Sequence, residues 1–410
     1  MSGLRNGILF TGGDVLLDES EELVRADVLV REGRIVAVGG DARAQAGPDV
    51  EERRIDGAAL LPGFIDCHSH VMVDGLDALE LMNEPFSFPF YRAIDTMRRT
   101  LDAGITTIRD AGGADLGLKQ AQERGLVEGP ALQIAIQILG QTGGHTDGTL
   151  RNGNVNHLLV AHPGRPGPVV DGPDEMRLRV RELLRAGADV IKICTTGGVA
   201  SENDDPRHSQ FDAEELDVCV RTAAANGVPV MAHAQGRDGI LAALRAGVRS
   251  IEHGIYADDE CFALMKEKGA WLVPTLLAPV ALARSVAEGT RVSEAVRRKA
   301  DEVQETHARM MRRAVGAGVR IAFGTDAGVF AHGMNLEELA LMAAAGMPPR
   351  EVLRAATAES AALLGLDDRG RIAPGLRADL VVVNGDALDL RDYAARIVAV
   401  VQGGRVVRGA

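Results

Sequence analysis

The sequence predicts an α/β protein, a (β/α)8 barrel of the TIM type with a small β-sandwich domain built from both chain termini. Between residues 61 and 370, helical stretches end in a small residue and a glycine, and apolar runs of Val, Ile and Leu follow. Such runs are typical of parallel strands that are buried on both faces. Residues 1–60 and 371–410 show short alternating strands separated by Gly, Asp and Asn, which indicates a separate small antiparallel sheet domain.

The middle of the chain contains eight such apolar runs, as a (β/α)8 barrel requires. In order they are GFIDCHSH, ITTIRD, LQIAIQIL, ADVIKI, VPVMAH, VRSIEH, AWLVPT and VRIAFGTD. An open doubly wound sheet is the alternative, but no GxGxxG motif follows any of these strands. Residues 141–173 are rich in Gly, Pro, His and Asn and are predicted to form a long loop of the kind that often serves as a lid.

Composition excludes several classes of partner. The net charge of −13 argues against binding to nucleic acid or to an anionic membrane, because both require clustered Lys and Arg. The four cysteines show no paired spacing, which predicts reduced thiols and a cytoplasmic protein. The chain also lacks the features of a signal peptide and any apolar stretch near the ~18 residues of a membrane span.

The segment PGFIDCHSH, residues 62–70, places two histidines at the end of the first barrel strand. His68 and His70 are two residues apart, so both project from the same face of the strand. Each buried imidazole needs its own partner in a crowded interior. A metal ion satisfies both at once, and packing of two hydrogen-bonded core histidines is the alternative.

Polar residues also occur at or near the ends of other predicted strands. The fourth strand carries Lys192, the fifth ends in His233, the sixth in His253 and the eighth in Asp326. In a (β/α)8 barrel these ends meet at one mouth. Each residue has a structural explanation by itself, but their convergence favours a site for a divalent transition metal, which takes nitrogen and carboxylate ligands.

This combination, with the HSH motif and a strand-rich domain from both termini, resembles the amidohydrolase superfamily. The segments TTIRDAGGAD, GQTGGH, IKICTTGGVAS, MAHAQG, SIEHG and IAFGTDAG look like its Xaa-Pro dipeptidase-like and imidazolonepropionase-related branch. The resemblance implies two divalent metal ions. His68, His70 and Asp326 would bind the more buried ion, and His233 and His253 the outer ion.

The resemblance further implies that Lys192 is carboxylated by CO2 and bridges the two metals. Burial lowers the pKa of a lysine, and a neutral amine can become a carbamate anion. Zinc suits the ligand set. By the same resemblance, a hydroxide shared by the metals attacks an amide carbonyl, with Asp326 as the base. The expected enzyme is a hydrolase of carbon–nitrogen bonds that acts on a small molecule, a dipeptide or N-acyl amino acid, as a homo-oligomer.

Four residues are predicted to contact the substrate. His145, in GQTGGH, is the candidate donor to the tetrahedral oxyanion, and a solvated loop residue is the alternative. Gln235 stands where dipeptidases of the branch often have Tyr, which places strict Xaa-Pro specificity in question. Arg207 and His208, after the fourth strand, are candidates for binding a substrate carboxylate, although an exposed arginine is more often solvated.

The remaining polar residues are predicted to be structural. Cys194 shares the face of Lys192 and is expected to pack, because no base is placed to activate it. Arg109 and Asp110 are expected to form an ion pair near the barrel rim. The other histidines of the sequence are expected mainly at the surface: His157, His162, His307 and His332.

Three other functions remain open from the sequence. A hydrolase of a cyclic amide, carbamate or urea has the same ligands, because a fold does not determine a reaction. A deaminase with a single metal would make Lys192 incidental. A non-catalytic scaffold would have lost ligands, whereas every ligand position is filled here.

Overall fold

The computed structural model describes residues 7–17, 23–149, 153–155 and 160–409, apart from the side chains of residues 78 and 79. The strands in these ranges are β1 (Ile8–Thr11), β2 (Asp14–Val15), β3 (Val24–Arg25), β4 (Val28–Arg31), β5 (Arg34–Val38), β6 (Glu51–Arg54), β7 (Ala58–Pro62), β8 (Phe64–Ser69), β9 (Ile105–Asp110), β10 (Ala131–Ile134), β11 (Ile138–Leu139), β12 (Ile191–Cys194), β13 (Val230–Ala234), β14 (Ser250–His253), β15 (Trp271–Val273), β16 (Arg320–Ile321), β17 (Leu380–Asn384), β18 (Ile397–Gln402) and β19 (Arg405–Arg408).

The α-helices in the same ranges are α1 (Gly40–Gln45), α2 (Ala78–Asn83), α3 (Phe88–Asp102), α4 (Leu116–Glu123), α5 (Pro173–Ala186), α6 (Ala213–Ala224), α7 (Arg237–Ala246), α8 (Asp259–Lys268), α9 (Leu277–Ala287), α10 (Glu294–Ala317), α11 (Glu337–Ala344), α12 (Pro349–Arg354) and α13 (Ser360–Leu364). A π-helical turn, Ala355–Glu359, joins α12 to α13, and a 3-10 helix, Tyr393–Arg396, precedes β18. None of the described helices is both long enough and apolar enough to cross a lipid bilayer.

Parallel strands alternate with helices through the middle of the chain. One sheet has the order β10-β9-β8 and a second has the order β11-β12-β13-β14-β15-β16, and every neighbouring pair in both is parallel. Several intervening helices end as predicted. Gly187 after α5 and Gly247 after α7 adopt the left-handed conformation, with φ of 93° and 96°, that glycine accepts without a Cβ penalty.

Backbone hydrogen bonds connect the two parallel sheets. After β16 the chain continues beside β8: the N–H of Cys67 donates to the carbonyl of Phe323 at 2.9 Å, and that of Asp326 to His68 at 2.7 Å. The predicted third strand is divided into β10 and β11, because Ile136 between them has φ of 68°. With β10 and β11 counted as one broken strand, the described segments follow one another around a ring of eight.

The terminal segments form two further sheets, with orders β5-β4-β1-β6 and β19-β18-β17-β7-β2-β3. The prediction of an antiparallel sheet was wrong in part, because β1 pairs with β6 and β2 with β7 in parallel. The two sheets contribute to one buried hydrophobic cluster, in which Phe10 and Val30 of the first meet Leu60 and Val382 of the second. Apolar side chains from both chain ends are thus removed from water together.

Candidate metal centre

His68, at the end of β8, and His70, just after it, face a carboxylate from the segment that follows β16. The Nε2 atoms of His68 and His70 lie 3.4 Å and 3.2 Å from the same oxygen, Oδ1 of Asp326. Ligand atoms of the three residues all lie within 4.8 Å of one another. The predicted convergence of the first and eighth strands therefore produces a group of donors that fits one metal ion.

A buried carboxylate fixes the backbone on both sides of this group. Asp66 accepts hydrogen bonds from the N–H of His68 at 3.0 Å and from Thr325, whose Oγ1 lies 2.6 Å from Oδ2. Asn335 Nδ2 donates to the same Oδ2 at 2.9 Å. Asp326 follows with φ of 62°, a region that non-glycine residues rarely adopt without support from their surroundings. Asp66 therefore ties the two segments that carry the ligands.

Lys192 lies inside the barrel, on β12. Its Nζ is 3.3 Å from Nε2 of His68, and the residue is 2% exposed. Burial lowers the pKa of Lys192 from its ordinary value, because an ammonium ion loses its hydration there. A lysine in this position has an increased neutral fraction, which is the reactive form toward CO2.

The remaining predicted ligands, His233 and His253, complete the group. Their ring centroids are 4.6 Å apart, and His253 lies 5.0 Å from the ring of His68. His253 Nδ1 is 2.7 Å from Thr275 Oγ1, and His233 Nε2 is 3.1 Å from the carbonyl oxygen of Gly197. The structure thus brings all six predicted ligand residues to one end of the barrel.

The hydrogen bonds of the histidines fit a metal centre. His68 donates through Nδ1 to Glu252 Oε2 at 2.8 Å, and His70 through Nδ1 to the carbonyl of Gly112 at 2.8 Å, so their Nε2 atoms remain for a ligand. Metal-binding histidines usually have their second nitrogen held in this way. The donor set of imidazoles, a carboxylate and a buried lysine therefore fits divalent transition metals.

The ionisation of the site also suits metal binding. Burial acts to raise the pKa of Asp326, but its neighbours His68 and His70, including the hydrogen bond from His70, outweigh it and hold that pKa below its ordinary value. Burial holds the pKa of His68, His233 and His253 well below the ordinary value. Burial also acts to lower the pKa of His70, but the hydrogen bond and charge of Asp326 outweigh it and raise that pKa. At neutral pH the site therefore presents the Asp326 carboxylate and neutral imidazoles at His68, His233 and His253, which are the forms that coordinate metals.

Sequence reasoning missed Glu252, the partner of His68. Its carboxylate is fully buried and accepts from Arg109 NH2 at 3.0 Å and from Ser250. The predicted Arg109–Asp110 ion pair was wrong, because Asp110 instead accepts backbone N–H groups, including that of Val71 at 2.9 Å. The sequence signal that could have identified Glu252 was its position as a single carboxylate within the predicted buried strand VRSIEH.

His145 comes from the long loop after β11 and lies against the ligand group. Its ring stacks on that of His233, with a centroid distance of 4.3 Å and an interplanar angle of 22°. Nδ1 of His145 is 2.8 Å from Ser201 Oγ. The side chain is 14% exposed, so it is not the solvated loop residue that the sequence left as the alternative.

A cavity of about 240 Å³ opens over the ligand group. Its lining includes His145 and Gln235 together with Arg165 from the long loop. Apolar residues on two sides complete it, including Phe86 and Phe90 of the α2–α3 region, and further residues of this kind are Leu81, Pro89, Val199, Ile255, Ala278, Pro279 and Leu282. Most of the cavity wall is therefore apolar, and charged groups are confined to a few positions.

Two predicted substrate contacts are not brought into this cavity. Arg207 and His208 are exposed, and neither is among the described residues that line it. Arg207 instead forms a two-pronged ion pair with Asp205, with distances of 2.9 and 2.7 Å. The partner of Arg207 thus lies two residues earlier in the same loop, and the guanidinium is held there and not in the cavity.

The other histidines differ from expectation. His307 and His332 are buried, whereas the sequence predicted surface positions. His307 lines the cavity and its Nε2 lies 3.1 Å from the carbonyl oxygen of His253, while His332 Nδ1 lies 3.1 Å from Thr100 Oγ1. His162 is partly buried, and His157 lies outside the described residues. Cys194 is buried as predicted, and burial raises its pKa to about 12, so the thiol stays protonated.

Comparison with known proteins agrees with this geometry. The model of the amidohydrolase family matches residues 59–409, and the chain belongs to this family. An ochratoxinase from Aspergillus niger is 32% identical, over 98% of this chain and 86% of its own length.

Two solved structures are similar throughout. A prolidase complexed with N-methylphosphonate-L-proline has a TM-score of 0.89 and 35% identity, and the match covers 98% of this chain and all of that one (100%). A Xaa-Pro dipeptidase with bound methionine has a TM-score of 0.88 and 32% identity, with the same coverage. The predicted superfamily, its barrel and metal-dependent hydrolysis of an amide carbon–nitrogen bond are thereby confirmed.

Acid is expected to destabilise the protein through its buried histidines. Burial lowers the pKa of His307 to about 4, against about 6.5 in the unfolded chain. The unfolded state therefore binds more protons between these values, and stability that is complete above pH 6.5 is lost as the pH falls toward 4. The melting temperature, measured by differential scanning calorimetry from pH 8 to 4.5, should decrease once the pH is lower than 6.5.

His307→Gln provides the matched variant, since an amide still donates to the carbonyl of His253 but does not titrate. As the pH falls from 6.5 to 4, the unfolding free energy of the variant should decrease less steeply than that of the unchanged protein. The difference in slope should correspond to about one bound proton. Parallel curves for the two proteins would contradict a neutral, buried His307.

Proposed function

We propose that the protein is a hydrolase with two metal ions that cleaves dipeptides or N-acyl amino acids. The observation that carries this proposal is Lys192, buried among the histidine ligands with its Nζ 3.3 Å from His68. A positively charged lysine there would repel metal ions, whereas its carbamate would be an anionic oxygen ligand. Carboxylation joins the neutral amine to CO2, forms one C–N bond and releases one proton.

The residues divide between two metal positions. His68, His70 and Asp326 would hold one ion and His233 and His253 the other, with carboxylated Lys192 between them. Zinc is our proposal for both, given nitrogen and carboxylate donors. When bound, the ions would polarise the substrate carbonyl and lower the pKa of the attacking water.

Asp326 handles the proton in this proposal. Its carboxylate is ionised at neutral pH and lies at the ligand group, where it would accept the proton of the attacking water and deliver it to the leaving amine nitrogen. The amine departs protonated, and the carboxylate is regenerated.

The cavity supports a substrate with an apolar group and a carboxylate. Gln235 is buried, and among the described atoms its Oε1 has no hydrogen-bond partner, which leaves it for a substrate N–H. Arg165 lines the cavity and carries a guanidinium, so in our proposal it binds the substrate carboxylate by charge. Arg207 and His208, which are not among the described residues that line the cavity, stay predictions.

The substrate class is tested with a panel. Purified protein supplied with zinc would be assayed against Xaa-Pro and other dipeptides, N-acyl amino acids, lactams, carbamates and ureas, and its metal content measured by mass spectrometry. Two metal equivalents with turnover of dipeptides or N-acyl amino acids support the proposal. Turnover of lactams, carbamates or ureas alone would favour a hydrolase of those carbon–nitrogen bonds. One metal equivalent with release of ammonia would favour a deaminase, and absence of metal would favour a non-catalytic scaffold.

His145→Ala is expected to lower kcat about 10²- to 10³-fold, the usual effect of removing one donor to a tetrahedral oxyanion. KM should change little, since the hydrogen bond strengthens as charge develops in the transition state. Steady-state kinetics with the best panel substrate measure this. Unchanged kcat would exclude His145 from the reaction, and Asp189→Asn, whose carboxylate pairs with Lys119 at 2.7 Å, serves as the control.

Further predictions concern the organisation of the protein. We propose that residues 1–60 and 371–410 form one β-sandwich domain and that residues 61–370 form the barrel. The shared hydrophobic cluster of the two terminal sheets supports this division. Cytoplasmic location and homo-oligomeric assembly stay predictions.

A further inference from the structure

A buried lysine secures the loop after β12. Lys299, on α10, is 6% exposed, and its Nζ donates to the carbonyl oxygens of Gly198 and Ser201 at 2.6 Å and of Asp204 at 3.1 Å. Nζ also lies 3.4 Å from Asp204 Oδ1. Three backbone carbonyls and one carboxylate thus replace the hydration of the ammonium group, as a buried charge requires.

The same carboxylate faces His145. Asp204 Oδ2 is 3.4 Å from His145 Nδ1, and Ser201 Oγ bridges them through hydrogen bonds to Nδ1 at 2.8 Å and to Asp204 Oδ1. Burial acts to raise the pKa of Asp204, but the hydrogen bond and charge of His145 and the charge of Lys299 outweigh it. The pKa of Asp204 therefore lies below its ordinary value, and its carboxylate is charged beside the imidazole.

The ring of His145 has no room to turn. One face stacks on His233 at a centroid distance of 4.3 Å. The backbone of Gly198 is also close to the ring, because a Cβ atom there would come within 2.2 Å of the ring Cε1. The absence of a side chain at Gly198 is therefore required for the ring position. With Nδ1 donating to Ser201, which in turn donates to Asp204, Nε2 is the nitrogen left for a substrate, and it donates there when both ring nitrogens carry a proton.

We propose that Asp204 and Lys299 are positioning residues that hold His145, through Ser201 and the loop backbone, with Nε2 presented to the developing oxyanion. The inference rests on the role of His145 in the proposed function. Lys299 neutralises Asp204 and fixes the loop carbonyls, and Asp204 fixes the ring. Neither residue touches the substrate, and both act through the imidazole.

A double-mutant cycle tests this proposal. Asp204→Asn keeps the shape of the side chain and removes its charge. It should lower kcat about 10- to 100-fold, as the loss of a partner does for metal-binding histidines, with KM changed less than about threefold. In the His145→Ala background the same change should have no further effect, because its only route of action is gone.

A second measurement does not depend on turnover. Affinity for the N-methylphosphonate derivative of the amino acid released from the best substrate, measured by calorimetry, should fall in Asp204→Asn and in Ser201→Ala. This tetrahedral anion resembles the reacting carbonyl, so its loss of affinity should match the loss of kcat. Lys299→Arg should retain more of the phosphonate affinity and of kcat than Lys299→Met. The metal content of all these variants should stay at the level of the unchanged protein.

The outcomes separate the two proposals. If His145→Ala leaves kcat unchanged, the role of His145 is wrong and this inference is overturned with it. If His145→Ala is impaired but Asp204→Asn and Ser201→Ala are not, or if the effects multiply in the double variant, only the positioning role is overturned. Asp189→Asn is the matched control: Asp189 pairs with Lys119 at 2.7 Å and should keep its activity.

Discussion

Replacing Lys192 with alanine is expected to reduce kcat/KM by at least about 10³-fold and to lower the metal content of the purified protein. The side chain is the anionic bridge in our proposal, and its loss removes one ligand from each metal position. Loss of an entire ligand costs more than loss of an outer partner, for which 10- to 100-fold is usual. The measurements are steady-state kinetics and metal analysis on the same preparation.

Chemical rescue makes this experiment sharper. The alanine variant leaves space where the carbamate stood, so a short carboxylate such as acetate or propionate should restore part of the activity in a concentration-dependent manner. In the unchanged protein, 13CO2 should give a carbamate carbon signal that is absent from the variant. Lys119→Ala, which removes a partly buried lysine outside the cavity, should show full activity. Unaltered turnover and metal content in Lys192→Ala would refute the bridge.

Glu252→Ala is expected to lower the free energy of unfolding by about 3–5 kcal/mol, the usual cost of breaking a buried ion pair by removing one partner. The change would leave the guanidinium of Arg109 buried, because that group is 3% exposed in the pair. It would also remove the acceptor that holds His68 Nδ1 at 2.8 Å. Both a stability loss and weaker metal binding should therefore follow from this one substitution.

Urea denaturation of the zinc-loaded and chelator-treated proteins separates these effects. The stability loss should persist without metal, since Arg109 stays unpaired in either form. Glu252→Gln should cost less, because an amide oxygen still accepts a hydrogen bond. Glu337→Ala is the control: its ion pair with Arg284 is exposed and should contribute less than about 1 kcal/mol. If the Glu252→Ala protein were as stable as this control, Glu252 would not be the stabilising partner of the buried Arg109.

The gathering of the predicted ligand residues at one mouth of the barrel was predictable because strand geometry fixes where ends and faces lie. His68 and His70 share a face by the twofold repeat of a strand, and parallel strands place Lys192, His233 and His253 at the same mouth. These features depend on local sequence and on one topological rule. The burial of Cys194 was predictable in the same way, since it shares the inward face of β12 with Lys192.

What the sequence by itself determined was the alternation of strands and helices and the residues at the strand ends, because hydrophobic periodicity and turn chemistry act over short distances. The tertiary structure alone decided the partners: Glu252 for His68 and Arg109, and Asp204 for His145 and Lys299. It also buried His307 and His332, which the charged or loop sequence around them did not indicate. These pairings join residues far apart in the chain, and they depend on loop paths and on side-chain packing, which no local pattern encodes.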